Sequence, residues 1–236
     1  MIPPASQPSG LLLFDKPKGI TSHDAVAILR NKLSCRRIGP TGTLDPMATG
    51  LLVMLVGSAT SAQERLQGAS KTYSGTIMFG TETDTWDAEG QVTGQAAVPC
   101  LSPETVGKAV EAFSGKIVQQ VPPYSAVRVN GQHLYKLARK NLSVPDIRRE
   151  IQVRWVSWAA RPPMLDFEIE CSGGTYLRSI ARELGLALGS KAHLSALRRL
   201  TIGGWSVADS VTTEVLSKLT PEAALARLQP VPPASC

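Results

Sequence analysis

From Leu165 to Cys171 apolar and acidic residues alternate without a break: Leu165, Phe167, Ile169 and Cys171 on one side, Asp166, Glu168 and Glu170 on the other. Only an extended strand separates neighbours this way, and only a sheet with one covered face makes use of it. KTYSGTIMFG (71–80) repeats the period, with Tyr73, Gly75, Ile77 and Phe79 sharing a face. LLLF (11–14) reads as a short buried strand, and the apolar run LLVMLV (51–56) is strand-sized and ends at Gly57. One-sided strands interleaved with helical segments point to an α+β fold around a largely antiparallel sheet.

The helical segments carry their own boundaries. Thr21 or Ser22 caps a helix to about Leu33, with Val26, Leu29 and Leu33 on one stripe. Ser61 and Glu64 have capping-box spacing. Ser102 and Pro103 open a helix with the stripe Val106, Val110, Phe113, and Gly115 closes it. SGGTY turns into a helix bearing Leu177, Ile180, Leu184 and Leu188, with Gly189 past its end. HLSALRRL reads as a further short helix, and WSV as a strand. Thr220 and Pro221 cap a last helix, EAALARL. Residues 1–9 read as a disordered lead-in and PVPPASC as a frayed tail.

The net charge of +6 favours polyanionic partners, nucleic acid first among them, although a basic balance by itself is also common in proteins that bind none. The excess is concentrated in residues 119–150, where Arg128, Lys136, Arg139, Lys140, Arg148 and Arg149 surround Tyr124 and Tyr135. Cations interleaved with aromatics suit phosphates and unstacked bases, and they equally suit a solvated hairpin. Cys35, Cys100, Cys171 and Cys236 are scattered, as are His23, His133 and His193, so neither a disulfide framework nor a metal site is expected. With no signal-peptide pattern and no apolar run of membrane-spanning length, the expected setting is the cytoplasm.

Two positions invite chemistry. Asp45 lies in TGTLDPMATG, where Pro46 fixes a turn and Gly42 and Gly50 let the backbone approach closely. A carboxylate on a rigid loop suits a nucleophile or general base, and Asp-Pro is also an ordinary turn pair. Arg178 falls in the first turn of a helix, where the dipole disfavours a cation unless an anion faces it. Asp84, Asp87 and Glu89 lack the spacing of a calcium loop and read as a hydrogen-bonded turn.

Six motifs then settle the order of these parts: KPKGITSHDAV, RIGPTGTLDPMATGLL, SKTYSGTIMFGTETDTWDAEG, VPPYSAVRVNGQHLYKLAR, SGGTYLRSIARELG and AHLSALRRL. Together, over residues 10–204, they resemble the TruB family of tRNA pseudouridine synthases. The resemblance implies a pseudouridine synthase fold: a bent, mixed, largely antiparallel sheet flanked by helices, with a protruding basic RNA-binding segment. It implies isomerisation of the uridine at tRNA position 55, in the T-arm, with no cofactor, no metal, no obligatory protein partner and a monomeric enzyme. It gives Asp45 the catalytic role, Tyr73 stacking on the target base, Arg178 pairing with the catalytic carboxylate, Tyr176 shaping the pocket, and Lys16 and Pro17 supporting the catalytic loop. The carboxylate's point of attack, C1′ or C6, stays open. Residues 119–150 correspond to the segment that closes over the T-arm. Two features depart from the family pattern. Pro40 stands where a histidine usually precedes TGTLDP, which bears on base extraction. Residues 205–236 are too few for the PUA-type C-terminal domain many relatives carry, so a short extension is expected.

Overall fold

The computed structural model describes residues 8–140 and 142–233. Along the chain these form β1 (Gly10–Lys16), α1 (Ser22–Leu33), β2 (Ile38–Pro40), β3 (Thr49–Val56), α2 (Gln63–Gln67), β4 (Lys71–Phe79), β5 (Thr81–Thr83) and β6 (Val92–Gln95). There follow α3 (Pro103–Ala112), β7 (Gly115–Gln120), β8 (Arg128–Val129), β9 (Gln132–His133), α4 (Leu134–Ala138), β10 (Arg148–Arg161), β11 (Met164–Cys171) and α5 (Leu177–Ala187). The chain ends with β12 (Ala192–Ile202), β13 (Trp205–Ser206), β14 (Val211–Thr212), α6 (Thr213–Lys218) and α7 (Pro221–Leu225). The expected α+β class is observed, with a mixed sheet and helices against it. The chain divides into two compact units, residues 1–72 with 198–236, and residues 73–197.

In the first unit the strand order is β14-β1-β3-β12, with β2 added to β3. β1 pairs antiparallel with β3 along its whole length, while β14 on β1 and β12 on β3 are parallel. Leu11–Phe14 and Leu51–Val56 are all buried, as their unbroken apolar runs require. Each such large side chain is stabilised by about 1.5–3 kcal/mol relative to exposure. α1 starts where expected: Thr21 accepts from the Asp24 amide and the Asp24 carboxylate accepts in return from the Thr21 N–H, a reciprocal cap. The end of the chain is better anchored than its composition suggests. Leu11 and Gln229 exchange backbone hydrogen bonds, and Arg65 donates to the carbonyls of Pro232 and Pro233. At the other end Ser9 is bonded to Ser58 at 2.7 Å; residues 1–7 of the expected lead-in lie outside the described residues, as do 234–236.

In the second unit the order is β12-β4-β11-β10-β7. Leu165, Phe167, Ile169 and Cys171 are buried, so the one-sided pattern holds. Gly75 is glycine because the Phe167 ring fills its space: a Cβ would lie 2.5 Å from Phe167 Cζ. Trp155 meets the same ring edge-on and donates to the Phe113 carbonyl. α3 has the expected Ser102 cap, and Gly115 opens β7 at φ +76° rather than closing the helix.

Two local readings are corrected. Ser61 does not cap a helix: residues Gly57–Ala62 form a 3₁₀ turn, Ser61 bonds back to the Ser58 carbonyl, and α2 starts at Gln63 without a side-chain cap. HLSALRRL is not helical. It lies within β12, whose parallel partner β3 is about 150 positions earlier in the chain, beyond any local pattern.

Candidate functional site

Asp45 is half-buried on the loop between β2 and β3. Its carbonyl accepts from the Ala48 N–H at 3.1 Å, so the Asp-Pro turn forms as its sequence demands. What distinguishes this turn is how it is held. Lys16, fully buried at the end of β1, directs its ammonium to the carbonyls of Pro17, Ile20 and Pro46 at 2.9, 2.8 and 3.2 Å. The Gly19 N–H donates to Pro46 as well, so the KP turn and the Asp-Pro turn are sewn together. Lys16 thus bonds to both turns, and the Pro17 carbonyl is one of its acceptors. On the other side the Ser22 hydroxyl accepts from the Leu44 N–H and donates to the Leu44 carbonyl.

A third support was not foreseen. Successive side chains of a strand point to opposite faces, and β12 uses this with two arginines. Arg198 forms a two-pronged ion pair with Asp15, at 2.7 and 3.0 Å. Arg199, 1% exposed, points the other way and donates to the carbonyls of Leu51, Thr43 and Gly42 at 2.7, 3.3 and 3.1 Å. The close β3–β12 approach explains Gly50, which sits at φ +103° with Arg199 O only 2.3 Å from where a Cβ would stand. Pro40 ends β2 opposite Met54, an edge position that needs no N–H.

Tyr73, Tyr176 and Arg178 belong to the second unit. Tyr73 is buried in β4. Arg178, buried in the first turn of α5, does have an anion before it: Asp87 Oδ2 lies 3.7 Å from Nε, both side chains 5% exposed. Its two terminal nitrogens donate to the carbonyls of Thr85 and Tyr124 at 2.9 and 3.0 Å. Asp87 in turn accepts from the Thr85 hydroxyl and the Glu89 N–H, and Asp84 accepts from the Gln91 N–H. The acidic stretch is therefore the hydrogen-bonded turn its spacing suggested. One helical turn beyond Arg178, Arg182 stacks on Trp86 at 4.7 Å and, with Lys191, pairs with Glu82. Burial opposes charge on Glu82, but the bonds from Lys191 and Arg182 outweigh it and lower its pKa. Glu183, on the same helix, shows the converse: burial raises its pKa against the hydrogen bond from the Gln120 N–H.

Tyr176 is the residue before α5. Its N–H and carbonyl are both taken by the buried amide of Gln119, at 2.7 and 3.1 Å, which frees its ring to face Arg149 at 5.6 Å. Of the cations in the basic segment, Arg149 is thus joined to the GTY motif. Arg139 lies over Tyr135, Arg128 bonds to His133 and Arg148 to Asp146. Lys136 and Lys140 are exposed. Both ends of the segment belong to the β7–β10 ladder, with Arg148 and Arg149 opposite Gln120 and Gln119. The stretch outside the ladder, 122–146, is anchored by buried Leu134 and Ala138 of α4.

Sequence reasoning missed Arg199, Ser22, Gln119 and the Glu82 cluster. Arg199 and Ser22 sat inside quoted motifs, yet nothing local marks a cation or a hydroxyl as buried. Among the described residues no group of His, Cys, Asp and Glu could hold a metal ion, and no helix is long and apolar enough to cross a membrane.

A family model described as TruB family pseudouridylate synthase (N terminal domain) matches residues 30–177, and one described as tRNA pseudouridylate synthase B C-terminal domain matches 178–231. The chain is 43% identical over 232 residues to tRNA pseudouridine synthase B of Opitutus terrae, covering 98% of this chain and 96% of the relative. It is 38% identical to the protein of the same name from Syntrophotalea carbinolica, covering 91% and 70%. Among solved structures, an H/ACA RNP bound to a substrate RNA containing 2′-deoxyuridine aligns with TM-score 0.63 and 25% identity over 87% of this chain. A Cbf5-Nop10-Gar1 complex aligns with TM-score 0.68 and 24% identity over 94%, a likeness of fold. The chain spans 51% and 60% of those two solved chains.

Proposed function

The chain belongs to the TruB family of pseudouridylate synthases, and on that premise we propose that it isomerises uridine to pseudouridine in tRNA, at position 55 of the T-arm, with Asp45 as the nucleophile. The reaction breaks the N1–C1′ bond, turns the base and joins C5 to C1′. The hydrogen on C5 leaves as a proton and N1 gains one, so no oxidant or group donor is consumed. Asp45 attacks the nucleoside, at C1′ or C6. The observation that carries this reading is the loop itself: a half-buried carboxylate whose backbone is gripped by buried Lys16, Ser22 and Arg199. Such fixing removes the reorganisation a nucleophile would otherwise undergo at the moment of attack.

In the same reading Tyr73 stacks on the target base, Tyr176 shapes the pocket, and Arg178 steadies the Asp45 carboxylate. Stacking of this kind contributes about 1–3 kcal/mol per base, enough to offset part of the few kcal/mol needed to unstack it. Pro40 supplies no imidazole to contact the RNA or the displaced base, so aromatic stacking carries more of that task. Arg128, Lys136, Arg139, Lys140, Arg148 and Arg149 contact phosphates of the T-arm, and the enzyme works as a monomer in the cytoplasm.

The test uses purified protein alone with an unmodified tRNA transcript tritiated at uridine C5. Tritium release, with pseudouridine mapped to position 55, is expected without guide RNA or any second protein. Asp45→Asn keeps the shape of the side chain but is a far poorer nucleophile. It should reduce release to background while tRNA affinity stays within about threefold, a difference of under 1 kcal/mol. Turnover near wild type in Asp45→Asn would overturn the mechanism, and product only with guide RNA would overturn the stand-alone activity.

A further inference from the structure

We propose that Arg199 is a positioning residue for catalysis, one that sets the Asp45 loop through its carbonyl oxygens; this rests on the pseudouridine synthase reading above. Arg199 is 1% exposed and its guanidinium is matched by no carboxylate among the described residues. A buried cation without a counter-charge is costly, and a leucine or methionine would fill such a place at no electrostatic cost. The chain has a strand-borne cation here all the same. What a guanidinium offers that an apolar side chain does not is a planar fork of donors with fixed angles. Nε meets Leu51 O at 2.7 Å, and the two terminal nitrogens meet Thr43 O at 3.3 Å and Gly42 O at 3.1 Å. Two of these carbonyls lie just before Asp45 and one just after the turn that carries it. One rigid plane therefore fixes both roots of the loop relative to each other.

The backbone is arranged to deliver this plane. Arg199 lies opposite Gly50 in the parallel β3–β12 pair, and Gly50 has no side chain to hold the strands apart. Its neighbour Arg198, on the opposite face, ties β12 to Asp15, the residue before Lys16. The strand thereby joins the two supports of the loop, the ammonium of Lys16 and the fork of Arg199, into one frame.

Arg199→Lys keeps the charge and loses the fork, whereas Arg199→Met keeps bulk and loses both. Displacing a catalytic group by about 1 Å can cost about 100-fold in rate. For Arg199→Lys the single-turnover rate of tritium release at saturating enzyme is expected to fall about 30- to 100-fold by that reasoning, with tRNA Kd within about twofold and a cooperative thermal transition retained. Arg199→Ala, with its vacated space, should regain part of the lost rate on addition of guanidinium at concentrations that leave wild type unaffected. A rate within threefold of wild type in Arg199→Lys and Arg199→Met overturns the proposal. So does a loss that follows Kd, a failure of every variant to fold, or an absence of guanidinium rescue, since each makes Arg199 a residue of the core alone. Wild-type protein and Asp45→Asn are run in parallel. Silence of the wild type would refute the activity, whereas an active wild type beside an equally active Arg199→Lys would refute only the positioning role.

Discussion

The loops that carry Asp45 and Asp87 are alike in length, eight residues each between two strands, yet they are held in different ways. The Asp87 loop carries a set of bonds within itself, to which Leu194 of β12 adds backbone bonds with Trp86 and Ala88 and Arg178 of α5 a bond to Thr85. Thr83 and Thr85 hydroxyls bond to Asp87, and the Glu89 and Gln91 amides bond to Asp87 and Asp84. The Asp45 loop is held mainly from outside, by a lysine from β1, a serine from α1 and an arginine from β12. The bonds a turn makes within itself are encoded in a few residues. A turn gripped from three distant elements exists only when the whole unit is folded, and it then has little freedom left. That arrangement suits the nucleophile proposed above, whereas the Asp87 loop presents one carbonyl and a carboxylate to a buried arginine.

Adding one methyl where the Asp45 loop enters β3 and one within the Asp87 loop tests this difference most severely. Gly50→Ala would place Cβ 2.3 Å from the Arg199 carbonyl at φ +103°, against backbone that cannot yield without parting β3 from β12. The expected loss is about 3–5 kcal/mol, read from the urea midpoint with an unchanged slope. Gly90→Ala in the other loop meets the Thr85 hydroxyl and an Asp84 carboxylate oxygen at 2.3 and 2.4 Å, with the Thr85 backbone nitrogen further off at 2.9 Å. Side-chain ends can rotate, so about 1–2 kcal/mol is expected there. Equal losses would mean that the first loop is no more dependent on remote backbone than the second.

This contrast also explains what the sequence made legible. Thr21, Ser102 and Thr220 announced their helices because a cap is a contact between residues three apart. β11 and β4 were plain because period two is visible in seven residues. Asp45 and Arg178 drew notice locally, one in an Asp-Pro turn and one as a cation in a first helical turn, but their proposed roles, like that of Tyr73, came from the matched motifs. The role of HLSALRRL was misread because Leu194, Leu197 and Leu200 fall at helical spacing, while the decisive facts are a partner strand far away in the chain and a buried arginine. Hydrophobicity patterns are blind to a cation that belongs inside. The same blindness hid Ser22 and the burial of Lys16.

The Glu82 cluster sharpens the comparison through pH. Glu82 is the link that binds the strand before the Asp87 loop to α5 and Lys191, and its pKa is lowered in the fold by those cations despite burial. A depressed carboxyl pKa stabilises the fold above the ordinary value of 4.5, and that contribution is lost as pH falls below it toward the folded value. Glu82→Gln should cost about 2 kcal/mol at neutral pH, the scale of hydrogen bonds to a charged group, and should flatten the loss of stability on acidification from pH 5 to 3. Glu183 works in the other direction, since burial raises its pKa and the fold is penalised as pH rises through that range. Denaturation series at several pH values separate the two. An undiminished acid slope in Glu82→Gln would assign the acid sensitivity elsewhere.

The smallest effect discriminates best, because it compares one hydroxyl with one hydroxyl. Ser22→Ala removes both bonds to Leu44 and leaves a buried N–H and carbonyl of the Asp45 loop without that partner. A buried backbone group so exposed to desolvation costs about 1–3 kcal/mol. Thr85→Val removes a hydroxyl of similar size from the Asp87 loop, but Asp87 still accepts from the Glu89 N–H and still faces Arg178. About 0.5–1 kcal/mol is expected, the usual net value of a single hydrogen bond. The local consequence should differ more than the global one. In Ser22→Ala the Leu44 amide loses its acceptor, so its hydrogen exchange should accelerate well beyond what the change in global stability accounts for. In Thr85→Val, exchange at Glu89 and Gln91 should follow global stability, since their acceptors remain. If the Leu44 amide exchanges as slowly in Ser22→Ala as in wild type, the grip of α1 on the Asp45 loop is dispensable. The loop would then be held by its cations alone.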